Sequence, residues 1–172
     1  MDKQTYLDYI KEFLSENYEI EEKVYILDRY VSLYGRWSMD FGRHLFSEKM
    51  VIDKFQCNEQ CFILEQEEIN EAYFNDITEF LKRCTVELVK PHKEHKTTFI
   101  TAVILTRNVS PGIIKKVRKF KYTKNYKLSF YGWSSIRVIL ADMDREEVYG
   151  NALARDFMKS ISFEKVLIRR IS

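Results

Sequence analysis

Ten consecutive residues, Thr97 to Thr106, are all β-branched or apolar. A half-solvated strand alternates polar with apolar positions, so an unbroken run of this length describes a strand buried on both faces. Such a strand needs a covering layer on each side, and the flanking sequence offers two helices. Before the run, Ile69, Tyr73, Ile77, Phe80, Leu81 and Cys84 keep the three-to-four spacing of an amphipathic helix over Glu67 to Val89, with Pro91 closing it. After the run, Ser110 stands as an N-cap and Pro111 at the first position of a short helix reaching Phe120.

The remaining pattern sets elements around this centre. Asp2 to Asn17 reads as a helix with Tyr6, Ile10, Phe13 and Leu14 on one face. Four segments rich in Val, Ile, Tyr and Phe follow: Tyr18 to Leu27, Tyr30 to Met39, His44 to Phe55 and Gln60 to Gln66. Turn-like breaks at Asp28-Arg29, Asp40 to Arg43 and Cys57 to Glu59 divide them into an antiparallel meander. Beyond the short helix, strands are expected at Tyr126 to Trp133, Ile136 to Asp142 and briefly at Val148-Tyr149, then a helix from Asn151 to Ile161. The expected class is α+β with a mixed sheet: N-terminal helix, meander, helix, buried strand, helix, C-terminal hairpin and helix. Five glycines and two prolines leave little material for a flexible linker, so residues 1–172 are read as a single domain.

No apolar stretch approaches the roughly 18 residues of a membrane span, so no membrane partner is expected. The first residues lack the basic and apolar regions of a secretory leader. Three cysteines, odd in number and sparse, suit a reducing compartment, and a cytoplasmic setting is expected.

Charge is divided along the chain. Met1 to Glu94 carries 12 Lys/Arg against 20 Asp/Glu, a net of −8, while His95 to Ser172 carries 16 against 6, a net of +10. No acidic residue falls between Glu94 and Asp142. Two physical explanations stand open: the halves attract each other within the fold, or the basic half receives an external anion. The basic density peaks at Lys115, Lys116, Arg118, Lys119, Lys121, Lys124 and Lys127, interleaved with Phe120, Tyr122 and Tyr126. Lysines gain affinity for a polyanion by releasing counterions, and aromatic rings can stack on unpaired bases, so nucleic acid or another polyanion is a candidate partner. The bland alternative is a solvated helix face over buried Ile113, Ile114 and Val117.

The stretch Ala102 to Pro111 leading into Ile113-Ile114-Lys115-Lys116, with the helix, meander, helix, strand order, resembles in plan the core of the Mrr-type restriction-endonuclease-like superfamily over about residues 30–120. That resemblance implies a metal-dependent phosphodiesterase holding Mg²⁺ between an acidic residue on one strand and a (D/E)-x-K on the next. The matching positions here are Asp53, Glu65 and Glu67. Glu67 stands where those enzymes carry lysine, which counts against catalysis. Tyr122 to Trp133 also resembles a segment of an uncharacterised family of small proteins from low-GC Gram-positive bacteria, which implies no activity.

Other signals are weaker. His92 and His95 lie three residues apart without further ligands at zinc spacing, His44 stands alone, and Cys57 and Cys61 flank an expected turn. Gly132-Trp133 joins two expected strands. The favoured expectation is a non-catalytic binding or interaction domain with a basic C-terminal surface. Alternatives are the phosphodiesterase, with Mg²⁺ as its only cofactor, and a self-associating protein using tyrosines of the meander.

Overall fold

In a computed structural model the chain is a mixed seven-stranded sheet with helices on both faces, and residues 1–44 and 51–171 are described. The elements run α1 (Lys3–Ser15), β1 (Glu19–Ile26), β2 (Arg29–His44), β3 (Val51–Glu65), α2 (Glu71–Glu87), β4 (His95–Thr106), α3 (Pro111–Lys119), β5 (Thr123–Asn125), β6 (Trp133–Asp142), β7 (Glu147–Gly150), a 3₁₀ turn (Ala152–Ala154), α4 (Arg155–Ser160) and α5 (Phe163–Ile171). The strand order is β1-β2-β3-β4-β6-β5, and β7 takes the second half of the β6 edge that β5 leaves free. β1, β2 and β3 are antiparallel; β3, β4 and β6 are parallel, linked by crossovers through α2 and α3.

The Thr97–Thr106 run is the central strand, as its composition dictates. From Ile100 to Thr106 every β4 residue is buried. Alternate positions feed two separate cores. Phe62, Ile100, Ala102, Ile104, Ile136 and Val138 pack under α2 and α3, whereas Cys61, Ile63, Val103, Leu105 and Ile139 pack under α1, α4 and α5. Tyr6 anchors the second layer: its ring stacks on Phe163 at 4.4 Å and its hydroxyl donates to the Ile161 carbonyl at 2.5 Å.

Helix caps follow the local chemistry. Asp2, Asn70 and Ser110 accept from the backbone amides of Thr5, Tyr73 and Ile113. α2 therefore begins at Glu71, four residues later than expected, because Asn70 supplies the cap.

Three expectations are corrected. The meander has three strands: β2 and β3 run straight through Asp40 to Arg43 and Cys57 to Glu59, the expected breaks, while 45–50 lie outside the described residues. Cys57 to Glu59 reads as a turn because Asn58 and Glu59 are polar, yet it occupies a sheet interior where Glu59 finds partners on β4 and β6 and Asn58 bonds Gln56 on its own strand. Tyr126 to Trp133 is a closed loop with only Trp133 in a strand, and the pairing partner of β6 is the shorter β5. The C-terminal helix divides into a 3₁₀ turn, α4 and α5, the last adding the Phe163 and Val166 face that completes the second core.

Candidate functional site

The three carboxylates of the expected metal site do not meet. Asp53 and Glu65 lie near opposite ends of β3, and twelve residues at about 3.3 Å each place these positions roughly 40 Å apart along the strand. The correction follows from the missing break at Cys57 to Glu59: what reads as two facing strands is one. The Asp53 side chain is not among those described.

Glu65 and Glu67 do approach each other, at the C-terminal end of the parallel strands, but around a cation of the chain itself. Lys3 Nζ lies 2.9 Å from Glu65 and 3.2 Å from Glu67. Ser32 Oγ donates to Glu65 at 2.8 Å. Arg107 then links Glu67 at 3.3 Å to Asp144 at 2.8 Å. Burial alone would raise the Glu65 carboxyl, but hydrogen bonds from Lys3 and Ser32 outweigh it and hold it below the usual carboxylate range. The hydrogen bond to Glu65 likewise raises the Lys3 ammonium against the opposing effect of desolvation. This end of a parallel sheet is where α/β proteins commonly bind ligands. Here the donors and acceptors already satisfy one another, and among the described residues no group of three or more His, Cys, Asp or Glu is arranged to hold a metal.

Two further carboxylates, unremarked in the sequence, do structural work. Asp142 is fully buried at the end of β6 and accepts from the amides of Asn108, Val109, Asp144 and Arg145 and from the Arg145 guanidinium. It ties the β4–α3 loop to the β6–β7 turn. Glu59, mid-strand in β3, accepts from Thr101 of β4, Arg137 of β6 and Tyr18. The Arg137 guanidinium also sits 3.5 Å from the centre of the Phe99 ring. Both carboxylates are answered by residues 33 or more positions away or by amides of the adjoining turn, so local pattern carries no signal of them.

The basic segment is different. α3 buries Ile113 and Val117 and turns Lys115, Arg118 and Lys119 outward beside β7. With Pro111, Ile114 and Tyr149 these three line a shallow groove of about 440 Å³, and Arg118 lies 5.8 Å from the Tyr149 ring centre. The chain then runs through Lys121 into β5, which carries Lys124 along the sheet edge, and on to Lys127. Of the seven cations, Lys116 alone among the described residues pairs with a carboxylate, Glu71 at 2.9 Å. Attraction between the halves is real, but apart from Lys116 it acts elsewhere: Arg107 to Glu67, Arg137 to Glu59, and Arg169 to Glu12 and Glu16. The densest positive charge stays unmatched.

None of the aromatic residues expected between these lysines is fully exposed, and half-buried Tyr122 packs against the core with the Lys82 ammonium 5.8 Å from its ring centre. Tyr126 is buried, its hydroxyl donating to the Thr85 carbonyl at 2.6 Å, and Phe120 packs edge-on against Phe74. In the loop that follows, Leu128 and Phe130 are the most exposed large apolar side chains among the described residues, with Trp133 at its end partly exposed.

The remaining sequence candidates are accounted for by structure. His95 is buried beside Tyr126, 6.2 Å from His92 between ring centres. Its Nδ1 faces the Tyr131 carbonyl at 2.7 Å, so it carries the proton and donates, leaving Nε2 to accept from Thr98 Oγ1 at 2.9 Å. Burial lowers its pKa. Cys57 and Cys61 share one strand, two residue pairs apart on one face, and do not approach across a hairpin; with Cys84 they are free thiols. The side chain of His44 is not among those described.

Fold and site together define a three-layer mixed-sheet α/β protein with an unmatched basic strip along one sheet edge. The chain belongs to the family described as Domain of unknown function (DUF8052), whose model matches residues 2–163. Neither a curated protein nor a solved structure matches it.

Proposed function

We propose that this protein is a non-catalytic binding module that takes a polyanionic partner along the strip from α3 through β5 to Lys127. One observation carries the reading: six of seven closely spaced cations have no carboxylate partner among the described residues, although acidic groups elsewhere pair freely. Like charges held together cost free energy unless a counter-charge arrives, and a polyanion supplies it with release of its own counterions. The likeness in plan to Mrr-type enzymes enters as scaffold only, without their metal chemistry. Three free thiols support work in a reducing cytoplasm, and the resemblance of Tyr122 to Trp133 to an uncharacterised family supports a low-GC Gram-positive source.

The test is retention on heparin and binding of a labelled single-stranded oligonucleotide, each across salt. If six cations engage, the logarithm of the oligonucleotide affinity falls against the logarithm of salt with a slope of roughly −4. Charge reversal at Lys115, Arg118 and Lys119 together weakens both interactions strongly. Binding indifferent to salt, or intact in that triple variant, overturns the reading.

A further inference from the structure

The loop that ends the basic strip is built in a way its own stability does not require. Lys127, Leu128 and Ser129 all take positive φ, at 45°, 54° and 73°. Three successive L-residues in the left-handed region are each disfavoured by about 1–2 kcal/mol. None is glycine, the residue that would adopt this turn without strain. The same turn holds Leu128 at 91% exposure and Phe130 at 79%. Strain and solvated apolar surface thus coincide at one tip.

The base of the loop, by contrast, is rigidly fixed. Tyr126 N donates to the Gly132 carbonyl at 3.0 Å and Tyr131 N to the Tyr126 carbonyl at 3.2 Å. The Tyr126 hydroxyl reaches Thr85 and Ser134, and His95 holds the Tyr131 carbonyl. Gly132 packs so closely on β4 that an added Cβ would lie 2.2 Å from the Lys96 carbonyl oxygen. The tip is therefore presented, not left loose. Lys127 opens the tip, Lys121 and Lys124 precede it along the chain, and the Lys127 ammonium lies 4.3 Å from the Tyr131 ring centre.

From this geometry we propose that the polyanionic partner is the surface of an anionic lipid bilayer, with Leu128 and Phe130 entering the acyl boundary while the lysines meet the headgroups. The inference rests on the polyanion reading above and names its partner. Two apolar side chains at the apex with cations set behind them match the depth profile of an interface, apolar inside and negative at the headgroups. A nucleic acid fits less well: of the two tip residues only Phe130 could stack on a base, aliphatic Leu128 could not, and Tyr126 is buried. No spanning segment is needed, which is why the absence of an apolar run in the sequence gave no sign of it.

The experiment is co-sedimentation with phosphatidylcholine vesicles, with and without about 30 mol% phosphatidylserine. It is run in parallel with the heparin and oligonucleotide measurements, on the full chain and on the Leu128→Ser/Phe130→Ser variant. Both replaced side chains are solvated, so the variant folds, which an unchanged Tm verifies. The expected result is binding to anionic vesicles only, weakened on the order of a hundredfold in the variant, with heparin retention unchanged. Each lysine neutralised to Gln at Lys124 or Lys127 removes roughly a further fivefold. Heparin binding without vesicle binding overturns the lipid assignment and leaves the polyanion reading standing. Loss of both overturns both. Vesicle binding that ignores the tip variant, or oligonucleotide binding that the tip variant abolishes, overturns the assignment as well.

Discussion

Glu59 of β3 and Arg137 of β6 meet across the strand that separates them: Arg137 Nη1 lies 2.9 Å from Glu59 Oε1, and Thr101 of the intervening β4 donates to the same oxygen at 2.5 Å. The pair is nearly enclosed, with side-chain exposures of 9% and 17%. Removing one member of a buried ion pair strands the other in a medium that cannot solvate it, at a cost of about 3–5 kcal/mol. Arg137→Ala is therefore expected to lower urea stability by that order. Arg137→Met with Glu59→Gln, which removes both charges and keeps volume, should recover most of the loss. Equal destabilisation by the single and double variants would show that packing of Arg137 on Phe99, not charge pairing, is what matters.

Asp142 makes a stronger case because its partners are backbone amides. Four N–H groups from two loops converge on one buried carboxylate, with Arg145 beside it. Asp142→Ala leaves those buried donors without acceptors, each a cost of about 1–3 kcal/mol where water does not replace the carboxylate. The expected outcome is a chain that loses most of its stability, with amide hydrogen exchange rising first at Asn108 and Val109. Asp142→Asn keeps one acceptor oxygen and should be intermediate. Unchanged exchange at Asn108 and Val109 in the alanine variant would contradict this account.

Stability should also depend on pH through His95. Burial lowers its folded-state pKa below the ordinary 6.5, with the nearby His92 acting in the same direction and the hydrogen bond to the Tyr131 carbonyl opposing it. Tyr126 packs against the ring and brings no charge near neutral pH. A histidine that is harder to protonate when folded leaves the unfolded state holding more protons below pH 6.5. Its contribution is therefore complete above that pH and declines as pH falls from 6.5 toward the folded-state value. Urea midpoints measured from pH 8 to pH 5 should show this decline in the native chain and lack it in His95→Gln. A His95→Gln profile parallel to the native one would assign the acid sensitivity elsewhere.

Elements whose signals are local can be read from the residues, and those that depend on distant partners cannot. Thr97 to Thr106 announces a central strand because every residue in it needs burial, and Ser110-Pro111 announces α3 because cap and first turn are adjacent. Asn58 and Glu59 look like a turn since polarity mid-strand is normally unfavourable. Only Tyr18, Thr101 and Arg137, far off in sequence, make Glu59 tolerable there. The same limit misplaces the expected metal site, which required two strands where there is one. The basic strip was visible as charge, but which cations stay unmatched depends on where the acidic groups fall in space. Leu128 and Phe130 alternate with Lys127 and Ser129 as strand residues would. Nothing local reveals that the backbone there turns left-handed, although Gly132 is the one residue in the stretch that suits such a conformation.

That loop yields a pair of predictions of opposite sign. Gly132 has φ of 69° and its Cα faces the Lys96 carbonyl, where a methyl group would overlap backbone that cannot move aside. Gly132→Ala should cost more than the roughly 1–2 kcal/mol of left-handed strain alone, displace the loop base and release the His95 contact. Leu128 shares the left-handed conformation but touches almost nothing, so its side chain contributes strain without packing. Leu128→Gly relieves that strain, offset by about 0.5–1 kcal/mol of extra unfolded-state freedom. Its urea stability should be unchanged or higher by up to about 1 kcal/mol, while binding to anionic vesicles weakens. A residue whose removal leaves the fold as stable and impairs binding is kept for what it touches outside the chain. If Leu128→Gly instead destabilises the protein by more than about 1 kcal/mol, the leucine serves the fold, and the strained tip loses its claim to a partner.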